Sequence, residues 1–281
     1  MSYERRVDRH NPSCLVFMID QSASMSEHIS GEIRISRAAA VADQLNGLIY
    51  ELIQRCTKSL SEPPRPYFAV SVMGYRTDQN GKSIVGPLLQ GALADRPWVW
   101  TTELAQHPLR LEEREHQSPA GPQRFTMPVW IDPLASGGTP LCDAMDQVGR
   151  LVRSWVDQYP ESFPPIVINL SDGESTDGDP RPWADRLRSL ATSDGNTLMF
   201  NLDVSSGDKP MLFPNETSRA MGKYGRTLFE MSSELPAVML SAAAAQGFNV
   251  RPGARGFGMN ADFRSVVTFL NVGTSVGHLL R

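Results

Sequence analysis

Three separated segments of the chain carry small oxygen donors in short irregular stretches. Asp20-Gln21-Ser22-Ala23-Ser24 follows an apolar run. Ser136-Gly137-Gly138-Thr139-Pro140 precedes a long amphipathic stretch, and Leu170-Ser171-Asp172-Gly173 closes a second apolar run. Carboxylate and hydroxyl oxygens without His or Cys suit a hard cation, magnesium, manganese or calcium, rather than zinc or copper. Ser22 and Ser24, two apart in an irregular turn, can both face one ion. The Gly137-Gly138 pair lets the backbone approach closely and adopt positive φ. Pro140 suits the first position of a helix, which makes Thr139 a natural N-cap. A capping hydroxyl accepts from backbone N–H groups, whereas a ligand hydroxyl turns a lone pair toward metal. The two readings of Thr139 compete, and the other two segments favour the ligand.

The elements around these segments follow an alternating pattern that predicts a buried, mainly parallel sheet with helices on both faces. Strands are expected at 14–20, 66–75, 83–89, 164–170 and 197–204, with a sixth at 227–231. The strand at 83–89 follows the turn residues Asp78-Gln79-Asn80-Gly81, so it should pair antiparallel with its predecessor. Helices are expected from Ile35 to Arg55, with Val41, Leu45, Leu48, Ile49 and Leu52 on one face, and from Pro140, where Leu141, Met145, Val148, Val152 and Trp155 recur at helical spacing. Further helices are marked by Trp183, Leu187 and Leu190 and by the stretch from Leu235 to Gln246. In such a sheet all three oxygen-rich segments fall at or beside the carboxyl edge, where this architecture places its ligand sites. The fold class is α/β: a doubly wound, mainly parallel six-stranded sheet with one antiparallel edge strand.

Asp-x-Ser-x-Ser, a distant Gly-Gly-Thr-Pro and a later Ser-Asp-Gly, in that order and each at an expected strand or helix end, resemble the von Willebrand factor type A (vWA) family, which includes the integrin I domains. The resemblance runs from about residue 13 to 246 and implies a metal-ion-dependent adhesion site. On that basis Ser22, Ser24 and Thr139 give hydroxyl oxygens to the ion, and Asp20 and Asp172 bind it directly or through water. No position departs from the family pattern. The implied cofactor is Mg2+, with Mn2+ or Ca2+ as alternatives, and the open coordination position is filled by a Glu or Asp of a partner protein. Trp130-Ile-Asp-Pro133, the stretch from Ser171 to Asp177, and the tail Ala254-Arg-Gly to Asn260-Ala-Asp262 look closest to stand-alone bacterial vWA proteins, including those of tellurite-resistance clusters. Such proteins are associated with Ser/Thr kinases and phosphatases, and other vWA proteins partner ring-forming ATPases; no residue here chooses among the three. The implied role is a metal-dependent adaptor in a bacterial signalling, stress or conflict system, not an enzyme.

The competing class is a magnesium-dependent phosphohydrolase with Asp20 as nucleophile. That chemistry calls for a second carboxylate two residues on, as general acid, and position 22 is Ser. A zinc site from His107 and His116 with Glu103, Glu112, Glu113 and Glu115 competes with a solvated charged loop, which is the plainer reading. Glu174, Asp177 and Asp179 read as a negative loop around the metal face, and Gly256 and Gly258 as a flexible turn. Trp98, Trp100 and Trp130 fit either an exposed contact patch or a cover over the sheet edge.

Composition bounds the rest. In 281 residues, 41% are apolar and 21% charged, with 27 Lys and Arg against 31 Asp and Glu. The formal charge of −4 gives no broad basic surface for nucleic acid. No apolar run approaches a membrane span. The polar first residues do not read as a signal peptide, and Cys14, Cys56 and Cys142 show no pairing or ligand spacing, so buried thiols and a cytoplasmic setting are expected. The organisation read from the chain is an N-terminal arm (1–12), a vWA domain (13–246) with a less regular segment (91–130), and a C-terminal extension (247–281) that packs on the domain.

Overall fold

All eight residues of β1 (Ser13–Asp20) are buried, which is what a central strand covered on both faces requires. A computed structural model describes residues 3–28, 35–59, 61–118, 121–205 and 210–260 of the chain, without the side chains of 116–118. After β1 come α1 (Arg37–Arg55), β2 (Phe68–Thr77), β3 (Ser83–Pro87), β4 (Val99–Trp100), α2 (Thr101–Gln106), β5 (Arg110–Ser118) and β6 (Gly121–Val129). Then follow α3 (Leu141–Gln158), β7 (Ile166–Ser171), α4 (Arg181–Ser189), β8 (Leu198–Asp203), β9 (Met211–Leu212), α5 (Gly222–Met231), α6 (Ala237–Ala245) and β10 (Phe257–Met259).

The main sheet runs β3-β2-β1-β7-β8-β10-β9, with β4 also on β2. Neighbours from β2 through β10 pair in parallel; β3, β4 and β9 are short antiparallel additions at the two sides. The mainly parallel doubly wound architecture and the antiparallel edge at 83–87 are as expected, and the short β4 and β9 make the sheet eight strands rather than six. Alternate residues of β1 feed two cores. Leu15, Phe17 and Ile19 pack with Val41, Leu45, Ile49 and Leu52 of α1. Cys14, Val16 and Met18 pack with Met145, Val148, Val152 and Trp155 of α3. Each fully buried side chain of this size contributes about 1.5–3 kcal/mol. From β1 the chain winds out to β2 through α1, then returns across to β7 through α3. The strand order therefore reverses between β1 and β7, and such folds bind ligands outside that switch point.

Several expectations need correction. Residues 227–231 are the last turn and a half of α5, not a strand. The strand beyond β8 is instead β10, from the glycine-rich stretch: Gly258 lies in it, and Gly256 stands so close to β8 that a Cβ would sit 2.0 Å from Phe200 Cδ1. Gly258 belongs to a packed strand and Gly256 to its tightly packed approach, not to a flexible turn. The irregular segment resolves into β4, α2 and a separate two-stranded hairpin, β5 with β6. Trp130 is buried and donates through Nε1 to Leu104 O, while Trp98 and Trp100 stack against Trp155 at 5.4 and 5.9 Å and cover the sheet edge. Phe263, Val266, Val267 and Leu270, whose spacing in the sequence reads as one face of a short amphipathic piece, lie outside the described residues. All three cysteines are buried with free thiols. No helix among the described residues is long and apolar enough to cross a membrane.

Candidate metal centre

Asp20 is the last residue of β1, and Asp172 directly follows Ser171, the last of β7, so the two carboxylates emerge side by side at the switch point. Backbone hydrogen bonds stitch the Asp20 segment to the Gly137 segment. Ser136 N–H donates to Gln21 O at 2.6 Å and Ala23 N–H to Gly137 O at 2.9 Å. Gly137 has φ of 76°, and a Cβ there would lie 2.1 Å from Thr77 O, so no larger residue fits. Gly138 N–H donates to Thr77 Oγ1 at 2.7 Å, which anchors the same turn to the end of β2. The approach to this turn is held by Asn46 of α1, whose Oδ1 accepts from Trp130 N–H and whose Nδ2 donates to Ile131 O.

The Asp172 loop is tied in turn to the Thr139 segment. Thr139 N–H donates to Thr176 Oγ1 at 3.1 Å, and Thr176 N–H donates to Thr139 O at 2.9 Å. Helix α3 begins at Leu141 with Pro140 as N-cap and no cap from that residue's side chain. Its first amides are served by Asp177 instead, whose oxygens accept from Cys142 N–H at 3.0 Å and Asp143 N–H at 2.9 Å. Burial disfavours the Asp177 carboxylate, but these amides and Ser175 outweigh it and hold its pKa below the ordinary value. The cap that Thr139 could have supplied comes instead from Asp177, a carboxylate of the third loop.

The donors converge as the spacing predicts. Ser22 Oγ and Ser24 Oγ are 3.0 Å apart, and Ser24 Oγ donates to Asp172 Oδ1 at 2.6 Å. A Cβ built on Gly173 would meet Thr139 Oγ1 at 3.7 Å and Ser24 Oγ at 3.8 Å, which brings the Thr139 hydroxyl to the same point. Asp20 is fully buried; its Oδ1 accepts from Ser22 N–H and its Oδ2 from Ser171 Oγ at 2.6 Å. Desolvation pushes the Asp20 pKa up to about 6, against the pull of the Ser171 and Ser22 hydrogen bonds, with the charge of Asp172 adding to the rise. Two carboxylates and three hydroxyls, all oxygen and mostly neutral, form a donor set that fits a hard divalent cation. No cluster of three or more His, Cys, Asp or Glu side chains suited to a metal exists among the described residues; the side chain of His116, part of the zinc reading, lies outside them.

Four further residues belong to this site and were not singled out in the sequence. Ser171 accepts from Tyr224 OH at 2.9 Å while donating to Asp20. Asp203, opposite Ser171 in the β7–β8 register, is buried at the same edge, and burial raises its pKa. Arg37, at the start of α1, sends Nη1 to within 2.7 Å of Asp172 Oδ2, 3.0 Å of Glu27 Oε2 and 3.4 Å of Ser24 O. A basic residue in the first turn of a helix carries no sequence signal for such a role; Ser171 alone had one, as neighbour of Asp172.

No family model matches the sequence, and no curated protein matches it. Solved structures match the fold. The pilus adhesin SpaC of Lactobacillus rhamnosus GG aligns over 96% of this chain with a TM-score of 0.52 and 12% identity; the chain spans 31% of that protein's length. Manganese-loaded TRAP protein of Plasmodium vivax aligns over 92% of this chain and 72% of its own, with a TM-score of 0.43 and 13% identity. The likeness to SpaC, with the topology above, gives a vWA-like, Rossmann-like fold.

Proposed function

We propose that the chain is a protein-interaction module that works through a divalent ion held by Asp20, Ser22, Ser24, Thr139 and Asp172. The observation that carries this is the close approach of three separately tied loops, marked by Ser24 Oγ at 2.6 Å from Asp172 Oδ1 and by Ser24 Oγ and Thr139 Oγ1 both lying within 4 Å of where a Cβ on Gly173 would stand. Mg2+ is the first candidate, with Mn2+ and Ca2+ as alternatives. The ion would supply an electrophilic centre for an anionic oxygen. A first shell rich in neutral hydroxyls leaves it under-neutralised, so a partner's Glu or Asp is the natural ligand. The fold shared with a protein described as a pilus adhesin is in keeping with a binding role. The partner would be a protein with an exposed acidic side chain; a Ser/Thr kinase, a phosphatase and a ring-forming ATPase are the candidates, in a cytoplasmic bacterial signalling, stress or conflict system. We assign no catalysis, since Ser22 occupies the position where a phosphohydrolase would need its acid.

The test is capture of partners from a lysate with and without chelator, followed by calorimetry on the protein recovered. Binding should collapse with chelator and with Asp20→Ala or Thr139→Ala while the fold survives. Binding indifferent to metal and to both substitutions would overturn the proposal.

A further inference from the structure

Arg37 is an unusual residue to find buried beside a metal centre. Its side chain is 7% exposed, and the carboxylate it meets, Asp172, is wholly buried. A buried guanidinium is costly unless paired and hydrogen-bonded, and this one is paired inside the donor set itself. Asp172 is divided between two claims: Oδ1 accepts from Ser24 and Oδ2 accepts from Arg37. The Arg37 Nη1 has two hydrogens and faces three oxygens, those of Asp172, Glu27 and Ser24, so the strength of its hold on Asp172 depends on how much Glu27 takes. Glu27 is 65% exposed, and its claim is correspondingly screened.

We infer that Arg37 is a built-in counter-cation that competes with a divalent ion for Asp172 and sets the metal concentration at which the site fills. The inference rests on the metal reading above. A fixed positive charge against one of two carboxylate ligands repels an incoming cation, and it does so strongly because the pair is shielded from water. It also answers the structural problem of the metal-free state, in which the Asp172 charge would otherwise act unopposed on the buried Asp20 and Asp203 carboxyl groups. The guanidinium therefore stabilises the empty site and weakens the filled one. Arg37 acts on the ion through Asp172, as a positioning residue rather than a ligand.

The experiment is calorimetric titration of the full chain with Mn2+, paired with melting curves in chelator and in Mn2+. Arg37→Gln should tighten Mn2+ binding by about tenfold or more, since it removes the competing charge while keeping hydrogen-bonding capacity. The same variant should melt lower than wild type in chelator and recover in Mn2+. Arg37→Lys, which keeps the charge, should stay within about threefold of wild type, an outcome that a purely steric role would not give. Glu27→Gln should shift the other way, weakening Mn2+ binding about two- to threefold, because Arg37 then rests more fully on Asp172. This last variant alters an exposed side chain and carries the test if Arg37→Gln fails to fold. Wild type that binds Mn2+ with Arg37→Gln equal or weaker, or with Glu27→Gln equal or tighter, overturns the role of Arg37 and leaves the metal centre standing. Absence of Mn2+ binding by wild type and every variant at millimolar concentration overturns the metal reading and the inference with it.

Discussion

Thr139 and Thr176 clasp one another through both backbones: the Thr139 N–H reaches Thr176 Oγ1 and the Thr176 N–H reaches Thr139 O. The Thr139 hydroxyl takes no part in either bond, nor does it cap α3, whose first amides belong to Asp177. Its position is fixed by the main chain and its oxygen is left to the site. Thr139→Ala should therefore cost less than the roughly 1 kcal/mol of a lost helix cap, while weakening Mn2+ binding about tenfold or more. Melting in chelator and calorimetry with Mn2+ measure the two separately. A stability loss well above that of a cap would show that the hydroxyl has a structural partner.

The cap itself makes a pH prediction. Asp177 has its folded pKa depressed, so its contribution is fully present above the unfolded value near 3.8 and is lost as pH falls through the folded pKa. Asp177→Asn should remove this dependence and cost about 1 kcal/mol at neutral pH. Urea unfolding of both proteins between roughly pH 3 and 7 should show a stability gap that closes toward the acid end. A gap that widens on acidification would contradict the assignment of Asp177 as a charged cap.

At Gly137 the turn before Thr139 has no room for a side chain. Its φ of 76° costs an L residue about 1–2 kcal/mol, and overlap with Thr77 O adds to that. Gly137→Ala should lower the melting temperature and, by pushing Thr139 out of register, weaken Mn2+ binding as well. Gly138→Ala, whose Cβ would meet Thr176 Oγ1 and Thr77 Oγ1 only at 3.3 Å, should be milder on both counts.

A second glycine tests the edge of the sheet. Gly256→Ala would drive a methyl into the Phe200 ring and should destabilise by about 1–3 kcal/mol through overpacking. Phe200→Leu should relieve part of that loss when combined with it, although it costs stability alone. Simple additivity of the two in urea unfolding would mean that they do not touch.

What the sequence shows of this molecule is governed by how locally each feature is written. β1 and β7 are legible because strands buried on both faces carry near-continuous apolar runs, Cys14–Ile19 and Ile166–Ile168, and Asp20 and Asp172 are legible because they stand just past such runs. α1 and α3 declare themselves by period. Thr227 to Met231 misleads because a short segment rich in large apolar residues is the same length as a strand, and the tertiary packing of Leu228 and Phe229 under β8 makes it helix. β10 is hidden because it is three residues long with Gly258 at its centre, a poor strand residue, and because Gly256 before it, which gives the backbone its close approach to Phe200, reads locally as a turn. The motif names five candidate oxygen donors but not what surrounds them: Arg37, Tyr224 and Asp203 reach this edge from remote elements, and nothing in their local sequence distinguishes them from surface or core residues.

Tyr224 and Ser171 allow the support beneath Asp20 to be measured. The chain of bonds has a fixed direction, with Tyr224 OH donating to Ser171 Oγ and Ser171 Oγ donating to Asp20 Oδ2. Tyr224→Phe removes only the outer donor and leaves Ser171 on Asp20; about 1 kcal/mol should be lost. Ser171→Ala leaves the buried Tyr224 hydroxyl without its acceptor and Asp20 without a donor, so its cost should be larger, about 2–3 kcal/mol. In the Ser171→Ala background the further change Tyr224→Phe removes a stranded hydroxyl and should be neutral or stabilising. The coupling between the two substitutions is then negative by about the cost of Tyr224→Phe alone, or more. Urea unfolding in chelator of wild type, both single variants and the double variant gives the cycle directly. If Tyr224→Phe costs the same with and without Ser171, the two side chains act independently, and Ser171 holds Asp20 without help from Tyr224.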